Sequence, residues 1–303
     1  MMRLTVPLLG LLAALMLAGQ AGATTMEFGG RERRFEMYVP PAAPRPLPVV
    51  LVLHGGTSTS GQIRRYTGFD ALASREGILA VYPQGVRGQW NDGRPEIGTL
   101  YPQVTTADDV GFLLALVDDL VGHGLADPHR VYVAGISNGG MMALKLACEH
   151  PERIAAAAVV AANQPSNLAC SPRQPVPVVF FHGTKDPFVP FDGGEILQWA
   201  NLDRGKVLSA RDTVGLWRKI DGCTGSPHRR RLTAPGAPGA VTVDQVSYEP
   251  CSGAQVRHFI LMGGGHTWPG AHQGPAGDRL LGPATGVDAN REIWRFFRAQ
   301  PPR

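Results

Sequence analysis

RVYVAGISNGGMMALKLACEH (130–150) is the stretch whose reading decides the fold. Arg130 to Ile136 is a short, apolar, β-branched run that predicts a strand, and the residues from Asn138 predict a helix ending before Pro151. Between them stands Gly135-Ile136-Ser137-Asn138-Gly139, a G-x-S-x-G sequence. A strand that turns directly into a helix needs small residues on both sides of the turn, which Gly135 and Gly139 supply. Such a turn projects the Ser137 hydroxyl away from the sheet and points the Asn138 backbone N–H into the same space. The helix N-terminus adds a partial positive field there. Ser137 is therefore the candidate nucleophile and the Asn138 N–H a candidate oxyanion donor.

Similar units lie on either side. PVVLVL (48–53) and GILAVYP (77–83) are continuous apolar runs, the pattern of strands buried on both faces; 154–162 and 176–181 are read as further central strands and 256–262 as the last strand. Arg33 to Val39 alternates polar and apolar, as an antiparallel edge strand does. Helices are expected over 108–122, 212–220 and 289–298, the last capped by Asp288. Strands alternating with helices predict an α/β fold of the α/β-hydrolase type, a doubly wound, mostly parallel sheet flanked by helices. Two loop-rich stretches, 87–106 and 272–285, are placed at the carboxyl ends of the strands, where ligands bind in such sheets.

Serine needs a base, and the base needs an acid to orient it. In this fold the order along the chain is Ser, acid, His. His266 follows the last strand in Gly263-Gly264-Gly265-His266 and is the expected base, with His272 in reserve. His228 and His258 are read as surface or core residues. Asp186, just past the strand VVFF (178–181), is the expected acid, and Asp192 is the nearby alternative. His54-Gly55-Gly56-Thr57 follows an early strand, so Gly56 or Thr57 is expected to supply the second oxyanion N–H. His54 and His182 are read as residues that pin their loops.

Composition narrows the class further. With 44% hydrophobic and 18% charged residues, the 303-residue chain can fill a core. A formal net charge of +4 is too small to point to nucleic acid, and Arg229-Arg230-Arg231 reads as a solvated patch. Residues 1–23 read as a secretory signal: Arg3, an apolar run from Val6 to Ala18, then Ala21-Gly22-Ala23 before a cut at Thr24. The apolar run is interrupted and shorter than the roughly 20 residues of a membrane anchor. Residues 24–303 are expected to form one catalytic domain, soluble, exported and monomeric.

Export suits disulfides. Four cysteines allow three pairings, and the local ones, Cys148–Cys170 and Cys223–Cys251, are preferred. No metal-ligand spacing is present, so neither a metal nor an organic cofactor is expected.

LHGGTSTSGQ (53–62), VYPQG (81–85), WNDG (90–93), DDVGFLLALVDDL (108–120), VYVAGISNGGMMA (131–143), HGTKDPFVPFDGG (182–194), DGC (221–223) and GGGHTWPG (263–270) carry a likeness to a known group. Together they resemble the secreted polyhydroxybutyrate depolymerase and feruloyl or acetylxylan esterase family, from about Phe35 onward. The resemblance implies that Ser137, Asp186 and His266 are the triad and that the Asn138 N–H serves the oxyanion. It also implies that Cys223 and Cys251 are paired, and that Trp90, Asn91 and Trp268 flank the substrate. The substrate class implied is a small or oligomeric ester, feruloyl, acetyl or hydroxyalkanoate. A serine peptidase of the same fold and a non-catalytic exported binding protein are the rival readings. Because only a few residues follow the last helix, weak adsorption to insoluble polymer is expected.

Overall fold

Leu47–Leu53 is buried at all seven positions because its side chains enter two different cores. Val49, Leu51 and Leu53 belong to one apolar cluster, Val50 and Val52 to the other. Consecutive strand residues point to opposite faces, so a run without polar alternation is the mark of a strand covered on both sides. The computed structural model describes residues 23–96, 104, 106–196, 203–232, 241–271, 281–282 and 287–303. Residues 1–22 of the expected signal segment 1–23, His272 and much of the two long loops lie outside them.

In chain order the strands are β1 (Thr24–Phe28), β2 (Arg31–Tyr38), β3 (Leu47–Leu53), β4 (Leu79–Pro83), β5 (Ala126–Ile136), β6 (Ala156–Val160), β7 (Val178–Gly183), β8 (Gly194–Glu195), β9 (Lys206–Val207), β10 (Pro227–Leu232), β11 (Thr242–Tyr248) and β12 (Val256–Met262). The helices are α1 (Ser60–Thr67), α2 (Phe69–Glu76), α3 (Asp109–Gly122), α4 (Asn138–Glu149), α5 (Ala210–Ile220) and α6 (Ala289–Phe297). The main sheet has the order β1-β2-β4-β3-β5-β6-β7-β12-β11-β10. From β4 to β12 the neighbours are parallel, and the strands beyond at each end are antiparallel. Side chains of α3, α4 and α5 fill one cluster, those of α1, α2 and α6 the other. This is the doubly wound α/β arrangement expected.

Several expected elements recur with small shifts. Asp108 caps α3 by accepting from the Gly111 N–H at 2.7 Å, and Asp288 caps α6. Arg33–Val39, read as an edge strand, falls in β2 up to Tyr38 and has β1 outside it. The hairpin β10–β11 is an addition. Arg229 and Arg231 both reach Asp244 on the neighbouring strand, at 3.2 and 2.8 Å, so the arginine run is an edge strand as well as a charged surface. Charges on an edge discourage another strand from pairing there.

Both expected disulfides are present. Cys148–Cys170 ties the end of α4 to the loop after β6, and Cys223–Cys251 ties the end of α5 to the loop before β12. Asp221, between α5 and Cys223, is fully buried. One carboxylate oxygen accepts from the Val176 N–H at 3.1 Å, and the other has no partner. Burial pushes its pKa up to about 8. The folded protein therefore retains a proton that the unfolded chain releases above about pH 4. This contribution to stability is complete below that pH and is lost as pH rises through about 8. Asp221→Asn, which imitates the protonated acid, is expected to raise the melting temperature at pH 9 by about 5 °C or more while changing little at pH 4. Thermal scans at the two pH values check this, and an equal shift at both would refute it.

Candidate active site

The turn at the end of β5 has the geometry its glycines allow. Ser137 has φ 56° and ψ −125°, a conformation rarely adopted by a residue with a side chain. Its N–H is held by the Val160 carbonyl at 2.9 Å, and its carbonyl accepts from the Met141 N–H at 3.0 Å. The serine is thus locked between the end of β6 and the first turn of α4. The strand order β5-β6-β7-β12 then places Ser137, Asp186 and His266 after the carboxyl ends of strands in one parallel block.

Asp186 and His266 meet. His266 Nδ1 lies 2.8 Å from Asp186 Oδ2, and Asp186 Oδ1 accepts from the N–H groups of Phe188 and Val189 at 2.8 and 2.9 Å. The carboxylate is fully covered while the His266 ring retains 11% exposure. Burial alone would raise the acid's pKa. The charge of His266, then the hydrogen bonds from His182 and His266, outweigh it and hold the carboxyl far below its usual range. Asp186 therefore stays ionised and fixes the Nδ1–H tautomer of its partner, leaving Nε2 as the basic nitrogen. Asp192 has no such contact with His266, so of the two carboxylates the structure pairs the base with Asp186.

The second oxyanion donor narrows to one. The Thr57 N–H already donates to the Gly88 carbonyl at 2.8 Å, so it is not available to a substrate. Gly56 remains. A side chain on its neighbour Gly55 would stand 3.4 Å from Ser137 Cβ, which places this loop beside the nucleophile. The loop is fixed from behind by His54, as expected. Its Nε2 accepts from the Gly85 N–H at 3.0 Å and its Nδ1–H donates to the Gly55 carbonyl at 2.8 Å. Burial pushes this imidazole down to about 4, so it is neutral at physiological pH.

Of Trp90, Asn91 and Trp268, expected beside the substrate, the two indoles are buried and present no exposed wall, whereas Asn91 is half-buried. Trp90 is completely buried and its indole N–H donates to the His54 carbonyl at 2.9 Å. Trp268 is 1% exposed and bonds Asn290 of α6 at 2.8 Å. The Asn91 side chain donates to the Ala107 carbonyl at 3.0 Å, and its N–H donates to Asp109 at 2.8 Å. The turn containing Trp90 and Asn91 instead grips the first residue of α4. The Asn138 side-chain oxygen accepts from the Trp90 N–H at 2.7 Å, and its amide nitrogen donates to the Trp90 carbonyl and to Asp92 at 3.0 and 2.6 Å. Asp92 is in turn paired with Arg94 at 2.6 Å. These bonds orient the Asn138 backbone from beneath the site.

Phe188 and Gln89, absent from the sequence reading, join the site, as does His182, which was read there only as a loop pin. The Phe188 ring lies 5.2 Å from that of His266, Gln89 lies against Gly56, and His182 also contacts the acid. Phe188 stands two residues beyond Asp186, and His182 four before it, a proximity visible in HGTKDPF (182–188); Gln89 had no comparable signal. Among the described residues no group of three His, Cys, Asp or Glu is placed to hold a metal ion.

A parallel sheet with a strained strand-to-helix turn at Ser137 and a His–Asp pair at later strand ends is the arrangement of an α/β-hydrolase. Residues 34–169 match the family described as Esterase PHB depolymerase. The chain is 37% identical over 258 residues to the putative esterase NocK of Nocardia uniformis subsp. tsuyamanensis, covering 80% of this chain and 72% of that protein. The chain belongs to this esterase family. It is also 31% identical over 206 residues to feruloyl esterase B of Piromyces equi, covering 64% of this chain but only 34% of that longer protein. Among solved structures, an acetyl xylan esterase from Aspergillus awamori aligns with a TM-score of 0.55 at 16% identity, over 85% of this chain and 98% of that one. At that identity the likeness concerns the fold.

Proposed function

We propose that this chain is an exported serine carboxylesterase that works through an acyl-enzyme on feruloyl or acetyl esters of plant polysaccharide or on hydroxyalkanoate oligomers. The observation that carries the reading is the strained elbow that presents Ser137 beside Gly55-Gly56, within a strand block that also carries the Asp186–His266 pair. Strain at a residue with a side chain persists only where the surroundings enforce it, and here they enforce a nucleophile's pose. The family membership and the relatives named as feruloyl and acetylxylan esterases support the substrate class.

In the proposed cycle His266 Nε2 accepts the Ser137 proton as Oγ attacks the ester carbonyl. The oxyanion rests on the N–H groups of Asn138 and Gly56. His266 then returns the proton to the leaving alcohol, and water repeats the sequence on the acyl-enzyme. Asp186 keeps the ring oriented and stabilises the imidazolium formed at each attack. Phe188, half-buried beside His266, supplies an apolar face for the bound ester. Two disulfides agree with export, and no helix of the described residues is long and apolar enough to cross a membrane.

A fluorophosphonate probe is expected to label the protein once, with the adduct located by mass spectrometry on the peptide containing Ser137. Absence of labelling would sink the catalytic reading in favour of a binding protein. Hydrolysis of methyl ferulate, acetylated xylan and 3-hydroxybutyrate oligomers, measured beside a peptide amide, separates the esters from one another and from peptidase activity.

A further inference from the structure

His182, next to last in β7, is 2% exposed, and three oxygens lie within 3.3 Å of its ring nitrogens. Nδ1 lies 3.0 Å from Asn163 Oδ1, and Nε2 lies 3.0 Å from the Val189 carbonyl and 3.3 Å from Asp186 Oδ2. The Asn163 amide is not free to turn round. Its Nδ2 donates to the Pro190 carbonyl at 3.0 Å, and reversing the group would set two carbonyl oxygens against each other. Asn163 can therefore only accept from His182, as can the main-chain carbonyl and the carboxylate. A neutral imidazole has one donor and one lone pair. Here its lone pair would face an oxygen in a buried site, which costs free energy comparable to a lost buried hydrogen bond.

We propose that His182 carries protons on both ring nitrogens in the resting protein, and that this buried cation is a positioning residue sharing Asp186 Oδ2 with His266. The inference rests on reading Asp186 and His266 as the acid and base of the site. His182 compensates the buried carboxylate, so that the pair of His182 and Asp186 is neutral before catalysis. A neutralised acid attracts a proton on His266 less strongly than a bare carboxylate does.

The groups packed around the ring fit this charge. The edge of the Phe191 ring meets it at 5.5 Å in a T-shaped contact, which adds no competing donor. His258, on the neighbouring strand β12, is buried and its pKa is pushed down to about 3 by burial, then by His182 and Arg229. It is neutral and adds no second positive charge. Arg229 is itself engaged by Asp244 at 3.2 Å. Asp186 and His266 complete the titratable groups in contact with the site.

Two measurements test the proposal. In protein labelled with ¹⁵N-histidine, long-range ¹H–¹⁵N correlation at pH 7 to 8 is expected to show both His182 nitrogens protonated. His266 in the same spectra is expected to show one protonated and one bare nitrogen. The His182 signals are assigned by their loss in His182→Gln, or by contacts to the Asn163 amide if that variant does not fold. A bare nitrogen on His182 at pH 7 overturns the charge assignment. The second measurement is the pH profile of kcat/KM for His182→Gln with a p-nitrophenyl ester. Its acid limb is expected to move to higher pH by about one unit, with the plateau within about tenfold of the parent. An unmoved acid limb in a folded variant leaves His182 merely structural and overturns the positioning role. The spectra report on His182 whether or not Ser137 proves to be the nucleophile, so failure of the esterase reading and failure of this inference are told apart.

Discussion

Ser137→Ala is expected to lower kcat for a short p-nitrophenyl ester by about 10⁶-fold and to leave the melting temperature within a few degrees of the parent. The magnitude follows from the way a nucleophile, a base and an acid act as a unit. Removing the nucleophile costs about as much as removing all three, and the residual rate of roughly 10³–10⁴ over water comes from the oxyanion donors and binding. Asp186→Asn is a milder lesion by this logic, because it leaves nucleophile and base in place with the wrong tautomer favoured; its cost is about 10⁴-fold. The stability half of the expectation is local. Ser137 is held by its main chain, through the Val160 carbonyl and the Met141 N–H, and alanine keeps both bonds. A steady-state assay with circular dichroism on the same preparation decides the matter. Activity retained within tenfold would remove Ser137 from the mechanism.

Gly135→Ala is expected to produce a severe loss of fold stability from a single added methyl. A Cβ there would stand 2.2 Å from the Gly139 carbonyl oxygen, 2.4 Å from the Gly139 carbonyl carbon and 2.8 Å from the Gly140 nitrogen. All three are backbone atoms of the first turn of α4, so no side chain can swing away. Relief requires α4 to lift from β5, opening the junction that presents Ser137. The expected cost is at least about 3 kcal/mol, at or beyond the upper end of ordinary overpacking. It is read as a lowered urea midpoint or as failure to recover folded protein. Gly122→Ala, at the end of α3 with nothing within 4 Å of the added carbon, is the control expected to fold normally. An unshifted midpoint for Gly135→Ala would mean that the elbow yields more easily than its packing implies.

The parts of the site legible in the sequence are those whose chemistry is local. Gly135-Ile136-Ser137-Asn138-Gly139 announces a tight strand-to-helix turn because only glycines tolerate the close approach at its two ends. Asp186 and His266 were legible because each follows an apolar strand and the chain order of the fold leaves few candidates. The same reasoning identified His54 as a loop pin, since a histidine beside two glycines at a strand end has the main-chain groups of its own loop within reach.

What failed was the attempt to assign surfaces from residue type. Trp90 and Trp268 stand in glycine-rich segments that suggested a pocket wall, yet both indoles are buried with their N–H groups bonded to the His54 carbonyl and to Asn290. Thr57 looked as suitable as Gly56 until the Gly88 carbonyl, 31 residues along the chain, took its N–H. The hairpin β10–β11 was missed because His228 to Arg231 carries no apolar period, and its partner Asp244 lies 13 residues beyond Arg231.

By itself the sequence determined the α/β class, the tight strand-to-helix turn at Ser137 and the placement of Asp186 and His266 after later strands, and it favoured the two local cysteine pairs. The first three follow from short-range backbone chemistry and from the constraint that buried strands be apolar. Only the tertiary structure decided which N–H groups remain free for an oxyanion, that the Trp90-Asn91-Asp92 turn orients Asn138 from below, and that Asp186 is shared by two histidines. Those outcomes depend on hydrogen bonds between segments distant in sequence. A donor's availability is settled by which acceptor reaches it first in the folded chain, and residue spacing along the chain does not record that.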